Sequence, residues 1–99
     1  MRIIISKFGG TSVSSRKTWD NILSITQKHI HAGLFPVLVC SARSHASNQL
    51  EKLIQLAIHD EHQGLLQEFV CAHHQLANEL EVPHETIASE LQHLEQWLT

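Results

Sequence analysis

The segment Lys7-Phe8-Gly9-Gly10-Thr11-Ser12-Val13, directly after the apolar run Ile3-Ile4-Ile5, carries the residues best suited to chemistry. A strand that ends in a lysine and opens into a Gly-Gly-Thr-Ser turn has the makings of a phosphate site. Glycines let backbone N–H groups come close to an anion, because no Cβ intervenes. The Thr11 and Ser12 hydroxyls add donors, Lys7 adds a full positive charge, and a following helix would direct its positive N-terminal end toward the same anion. The order of residues excludes a Walker A loop, in which the lysine follows the glycines.

These residues need elements to hold them. Arg2–Lys7 reads as a short strand buried on both faces. Ser14 or Ser15 can cap a helix that runs to about His31, with Trp19, Ile22, Leu23, Ile25 and Ile30 for burial and Gly33 as its terminator. Pro36 then leads into a second buried strand, Val37–Cys40. Two strands joined by a helix predict a right-handed βαβ unit with a parallel sheet.

From Ser47 onward the pattern is helical. Leu50, Leu53, Ile54, Ala57 and Ile58 recur at spacings of three and four. A break near Asp60–Gly64 precedes the stripe Leu65, Leu66, Phe69, Val70, His73, Leu76, Ala77 and Leu80. Val82-Pro83 breaks the chain again, before a last helix carrying Ile87, Leu91, Leu94 and Leu98. The predicted order is β-α-β-α-α-α, an α/β class.

The string KFGGTSV resembles the N-terminal signature of aspartokinases, within the amino-acid kinase family. Val37-Leu38-Val39-Cys40-Ser41-Ala42, leading to Ser47-Asn48-Gln49-Leu50, resembles that family's next motif: a strand, Ser-Ala, and a loop ending in Thr-Asn-x-Leu. The two segments cover about the first half of the chain. The resemblance implies the N-terminal part of the amino-acid kinase (carbamate kinase-like) α/β sandwich. Residues 1–99 would be one N-terminal piece of an aspartokinase catalytic domain, without a second domain. Aspartokinases are several times longer, and the family's nucleotide-base site lies in the later part of that domain.

The implied reaction is phosphoryl transfer from ATP to the β-carboxylate of L-aspartate, giving 4-phospho-L-aspartate at the head of lysine, threonine and methionine synthesis. A carboxylate with a pKa of about 4 is already ionised at neutral pH, so no general base is needed. The task is to neutralise charge and align the partners. By resemblance, Lys7 is the catalytic residue on the transferring phosphate, and Gly9, Gly10, Thr11 and Ser12 bind the ATP phosphates. Ser41 borders substrate and phosphate at the carboxyl end of the second strand, where open α/β sheets place ligands. Ser47 stands where the family has a threonine that contacts aspartate. Mg²⁺ would accompany ATP, its ligands falling outside this segment. The family commonly has glycine at the position of His45, and a histidine there needs left-handed backbone.

Plainer roles remain for the same residues. Ser41 also reads as a turn cap, Ser47 as the N-cap of a helix from Asn48, and Arg43 as an exposed loop arginine rather than a substrate ligand. Nine histidines raise the question of a metal site. His59-Asp60-Glu61-His62 lacks the H-E-x-x-H form, and consecutive His73-His74 point to different sides of a helix. No metal site is expected, and the histidines read as surface residues.

Charge is asymmetric. All seven Lys and Arg fall within residues 1–52, whereas residues 53–99 hold eight acids and no Lys or Arg. The acidic half argues against a nucleic-acid partner. No signal peptide or membrane-spanning run is present in the sequence. Cys40 and Cys71 read as buried thiols of a reducing cytoplasm. The partners that the resemblance implies are L-aspartate and ATP, and homo-oligomerisation through exposed strand edges or helices is expected. Two other functions fit less of the pattern: a kinase for another carboxylate such as glutamate, and a non-catalytic phosphate-binding or interaction module.

Overall fold

A computed structural model describes all residues, Met1–Thr99, in two compact units: Met1–Ser44 and His45–Thr99. The first is the β-α-β unit, made of β1 (Arg2–Phe8), α1 (Arg16–His31) and β2 (Leu34–Cys40). The strands pair in parallel, with Arg2 opposite Leu34 and Phe8 opposite Cys40. Ser15 caps α1. Its hydroxyl accepts the Thr18 N–H while the Thr18 hydroxyl oxygen accepts the Ser15 N–H, a reciprocal capping box. Past the other end of α1, Gly33 takes φ 80°, the left-handed geometry that glycine adopts without strain.

The expectation of strands buried on both faces is not met. Ile4, Ser6 and Phe8 are half-buried, but Ile3, Ile5, Phe35, Val37 and Val39 lie open on the other face. Ile5, the extreme case, is 70% exposed. Apolar composition makes a strand suited to burial, but only a covering layer buries it, and this two-stranded sheet has none on that face. Cys40 and Cys71, expected to be buried, are both exposed: Cys40 ends β2 opposite Phe8, and Cys71 lies on the exposed side of its helix. Of the apolar residues of α1, only Ile22 is fully buried; Trp19 is half-buried, and Leu23, Ile25 and Ile30 are exposed.

Pro36 sits inside β2, opposite Ile4, rather than ahead of it. The Ser41 N–H donates to the Phe8 carbonyl at 3.0 Å, so by the alternation of a strand the N–H groups of Phe35, Val37 and Val39 also face β1. Position 36 therefore faces the outer edge, where a missing N–H removes nothing from the ladder.

The second unit holds α2 (Ala46–Ile58), α3 (Gln63–Glu79) and α4 (Glu85–Leu98). Ala46, Leu53, Leu66 and Phe69 form its core, with Leu50, Leu65, Val70, Leu91, Leu94 and Leu98 packed around them. The predicted stripes supply these contacts, although Ile54 and Ile58 are exposed. Helices α2 and α3 each end on a left-handed residue, Asp60 (φ 56°) and Glu81 (φ 58°). Each turn is closed by a long-range N–H: Glu61 to the Leu56 carbonyl, and Val82 to the Ala77 carbonyl.

One histidine departs from the surface reading. His62 precedes α3 and is 1% exposed, its Nδ1 buried without a hydrogen-bond partner. Chain position places it where α3 joins the core, and no pattern of spacing marks it. No helix is long and apolar enough to cross a membrane.

Candidate phosphate site

The Gly-rich segment after β1 folds as overlapping tight turns. The N–H groups of Ser12, Val13 and Ser14 donate to the carbonyls of Gly9, Gly10 and Thr11 at 3.1, 3.3 and 3.4 Å. This occupies the Ser12 amide, so Ser12 could meet an anion only through its hydroxyl. The amides of Gly9, Gly10 and Thr11 donate to none of these turn bonds. Val13, 4% exposed, anchors the turn in the unit's interior, and the Trp19 indole N–H donates to its carbonyl at 2.8 Å. The helix starts only at Arg16, beyond this second turn, and Ser15 already caps its first-turn amide. The turn and the helix end are therefore separate features of this strand end.

The two glycines differ. A Cβ on Gly9 would meet nothing within 4 Å. A Cβ on Gly10 would sit 3.2 Å from the Ala42 carbonyl oxygen and 3.3 Å from both Cα and N of Ser44. All three atoms are backbone. Gly10 is therefore the point where the turn after β1 touches the loop after β2, and its lack of a side chain permits the contact.

That contact brings Ser41 and the Gly-rich turn to the same end of the sheet. Ser41 is exposed, and its N–H bond to Phe8 carries the ladder one residue beyond β2. Lys7 lies at this end too, paired in register with Val39. It is exposed, so its charge is carried in solvent rather than by a buried partner. Arg43, expected to be exposed, is half-buried.

Ser47 belongs to the second unit, as the exposed second residue of α2. It is not the N-cap. His45 holds that position, in the left-handed conformation (φ 67°, ψ −2°), without a side-chain cap. The αL turn at His45 starts the helix two residues earlier than a Ser47 cap would.

Ser14, a candidate helix cap by sequence, has a different role. Its hydroxyl donates to the Gly10 carbonyl at 2.5 Å and accepts the Ser44 N–H at 2.9 Å. The signal was a pair of adjacent serines where a helix cap needs only one.

The first unit is thus a parallel β-α-β unit whose strand ends carry a lysine, a close-packed glycine turn and paired serines. Residues 2–96 match the amino acid kinase family, and the chain belongs to that family. Membership implies kinase chemistry of the amino acid kinase type. No curated protein and no solved structure matches the chain.

Proposed function

We propose that this chain is the N-terminal part of an aspartate kinase, transferring a phosphoryl group from ATP to the β-carboxylate of L-aspartate in the cytoplasm. The observation that carries the reading is the KFGGTSV segment, with Gly10 packed on the Ala42–Ser44 loop at the carboxyl ends of two parallel strands. In this reading Lys7 balances the charge of the transferring phosphate. Gly9, Gly10, Thr11 and Ser12 hold the ATP phosphates, chiefly through the Gly10 and Thr11 amides and the two hydroxyls. Ser41 contacts the amino-acid substrate. Asp20 is the only carboxylate side chain of the first unit, and it pairs with Arg16 at 3.4 Å. That unit accordingly is poor in ligands for Mg²⁺.

The open face of Ile3, Ile5, Phe35, Val37 and Val39 supports the further part of the proposal, that this sheet forms part of a larger assembly, whether with more of the kinase or with another copy. The 99-residue chain alone is then expected to be inactive.

The test recovers the native species with an antibody to this segment and assays ATP-dependent hydroxamate formation. The expected result is hydroxamate from aspartate, little from glutamate, and a loss of about 10²–10³-fold on Lys7→Ala. A preference for another carboxylate, or activity indifferent to Lys7, would overturn the reading. So would an aspartate-dependent, Lys7-sensitive signal from the isolated chain, as regards its incompleteness.

A further inference from the structure

The strand ends of the first unit carry a hydroxyl that neither the capping of α1 nor the proposed phosphate contacts use. Ser15 caps the helix. Ser14, beside it, faces the other way in its bonding. A serine hydroxyl has one proton and two lone pairs. Ser14 gives its proton to the Gly10 carbonyl and takes the Ser44 N–H on a lone pair. Both partners are half-buried, as is Ser14. The two bonds join the Gly-rich turn to the loop after β2 at the place where Gly10 already meets the backbone of Ala42 and Ser44. Beneath them, the Ser41 N–H is tied to Phe8, so that loop is held at both ends, by the ladder and by Ser14.

We infer that Ser14 is a positioning residue that locks the phosphate turn to the Ser41–Ser44 loop and so keeps the bound phosphate and the Ser41 hydroxyl at one spacing. The inference rests on the phosphate reading of the turn. An in-line transfer tolerates little error in the separation of its two reactants. A turn and a loop on separate connections would each drift, and one hydroxyl bridging both removes that freedom. Alanine at position 14 leaves the half-buried Ser44 N–H without its partner, while the Gly10 carbonyl keeps the Val13 N–H. Threonine keeps the hydroxyl.

The test uses the ¹⁵N-labelled chain, with sodium tripolyphosphate as a phosphate-chain probe free of base and metal. Without ligand, Ser14→Ala is expected to speed exchange of the Ser44 amide about fivefold to tenfold. The amides of Ile22 and Leu53 should stay protected, reporting intact units, and Ser14→Thr should restore the Ser44 rate. An unchanged Ser44 rate in Ser14→Ala overturns the lock.

With tripolyphosphate, the wild-type amides of Gly10 and Thr11 should shift together with that of Ser44, on one binding curve. Ser14→Ala should weaken binding severalfold and abolish the Ser44 response. Lys7→Ala should weaken binding and leave the ligand-free Ser44 exchange unaltered. If Ser14→Ala frees Ser44 but binds the probe as the wild type does, Ser14 is structural only and its positioning role is overturned. If the wild type shows no shift at Gly10 and Thr11, the phosphate reading itself falls and takes the positioning role with it. The ligand-free exchange separates that outcome from failure of the lock.

Discussion

Gly10 and Ser44 approach each other so closely that a Cβ on the glycine would stand 3.3 Å from both N and Cα of the serine. A methyl there would need the neighbouring backbone to give by a few tenths of an ångström, and main-chain atoms cannot rotate aside as a side chain would.

Gly10→Ala should therefore destabilise the first unit by about 1–3 kcal/mol, the usual penalty for overpacking. Gly9→Ala, with open space around it, should fall within about 0.5 kcal/mol of wild type. Urea unfolding followed by Trp19 fluorescence, in a Trp97→Phe background, measures both. Equal effects at the two glycines would contradict the geometry.

Lys7→Ala separates function from stability. The side chain is exposed, so the melting free energy should change by less than about 0.5 kcal/mol. Tripolyphosphate affinity should fall, and the salt dependence of what remains should flatten, because the lost term is a screened charge. A fluorescence or NMR titration at two ionic strengths decides the point.

Ser15→Ala removes one half of the capping box at the start of α1. The expected loss is about 1 kcal/mol, seen as a lower urea midpoint with unchanged slope. Its neighbour gives a useful contrast: Ser14→Ala should alter Ser44 exchange, and Ser15→Ala should not.

His62 makes an opposite prediction. Its Nδ1 is buried without a partner and its Nε2 has only a long 3.4 Å contact with the Gln63 side-chain nitrogen, so an apolar ring of similar shape gives up little hydrogen bonding. His62→Phe should be neutral or stabilising by up to about 1–2 kcal/mol, whereas His62→Ala should cost about 2–4 kcal/mol through the cavity it leaves. Thermal melts of the two variants order them.

The elements of this chain were legible because each is announced by local chemistry. Isoleucines before a Gly-Gly turn mark β1, a serine followed by three-and-four spacing marks α1, and Gly33 stops it. Burial was not legible in the same way. Ile3 and Ile5 have the composition of a buried strand, but whether a face is covered depends on what packs there, and that information lies outside the strand. Cys40, the last residue of β2, is exposed at the end of the sheet, which its apolar neighbours in sequence do not announce. His62 was missed because the position that inserts it into the core depends on how α3 meets its neighbours. At the site, Gly10 and Ser41 could be picked out by type and place. The division of labour between Ser14 and Ser15 could not, since either hydroxyl can cap a helix and only the fold decides which one turns toward the other loop.

Pro36 gives the small sheet a direction. The outer edge of β1 presents the main-chain groups of Ile3, Ile5 and Lys7 as an unbroken row, whereas the outer edge of β2 has a gap in its donors at position 36. A further strand arriving beside β2 would forfeit a bond there and feel the ring as an obstacle; beside β1 it would find every bond on offer. Lateral growth of this sheet, by whatever polypeptide, is thus biased to the β1 side, and one imino acid acts as a gatekeeper on the other.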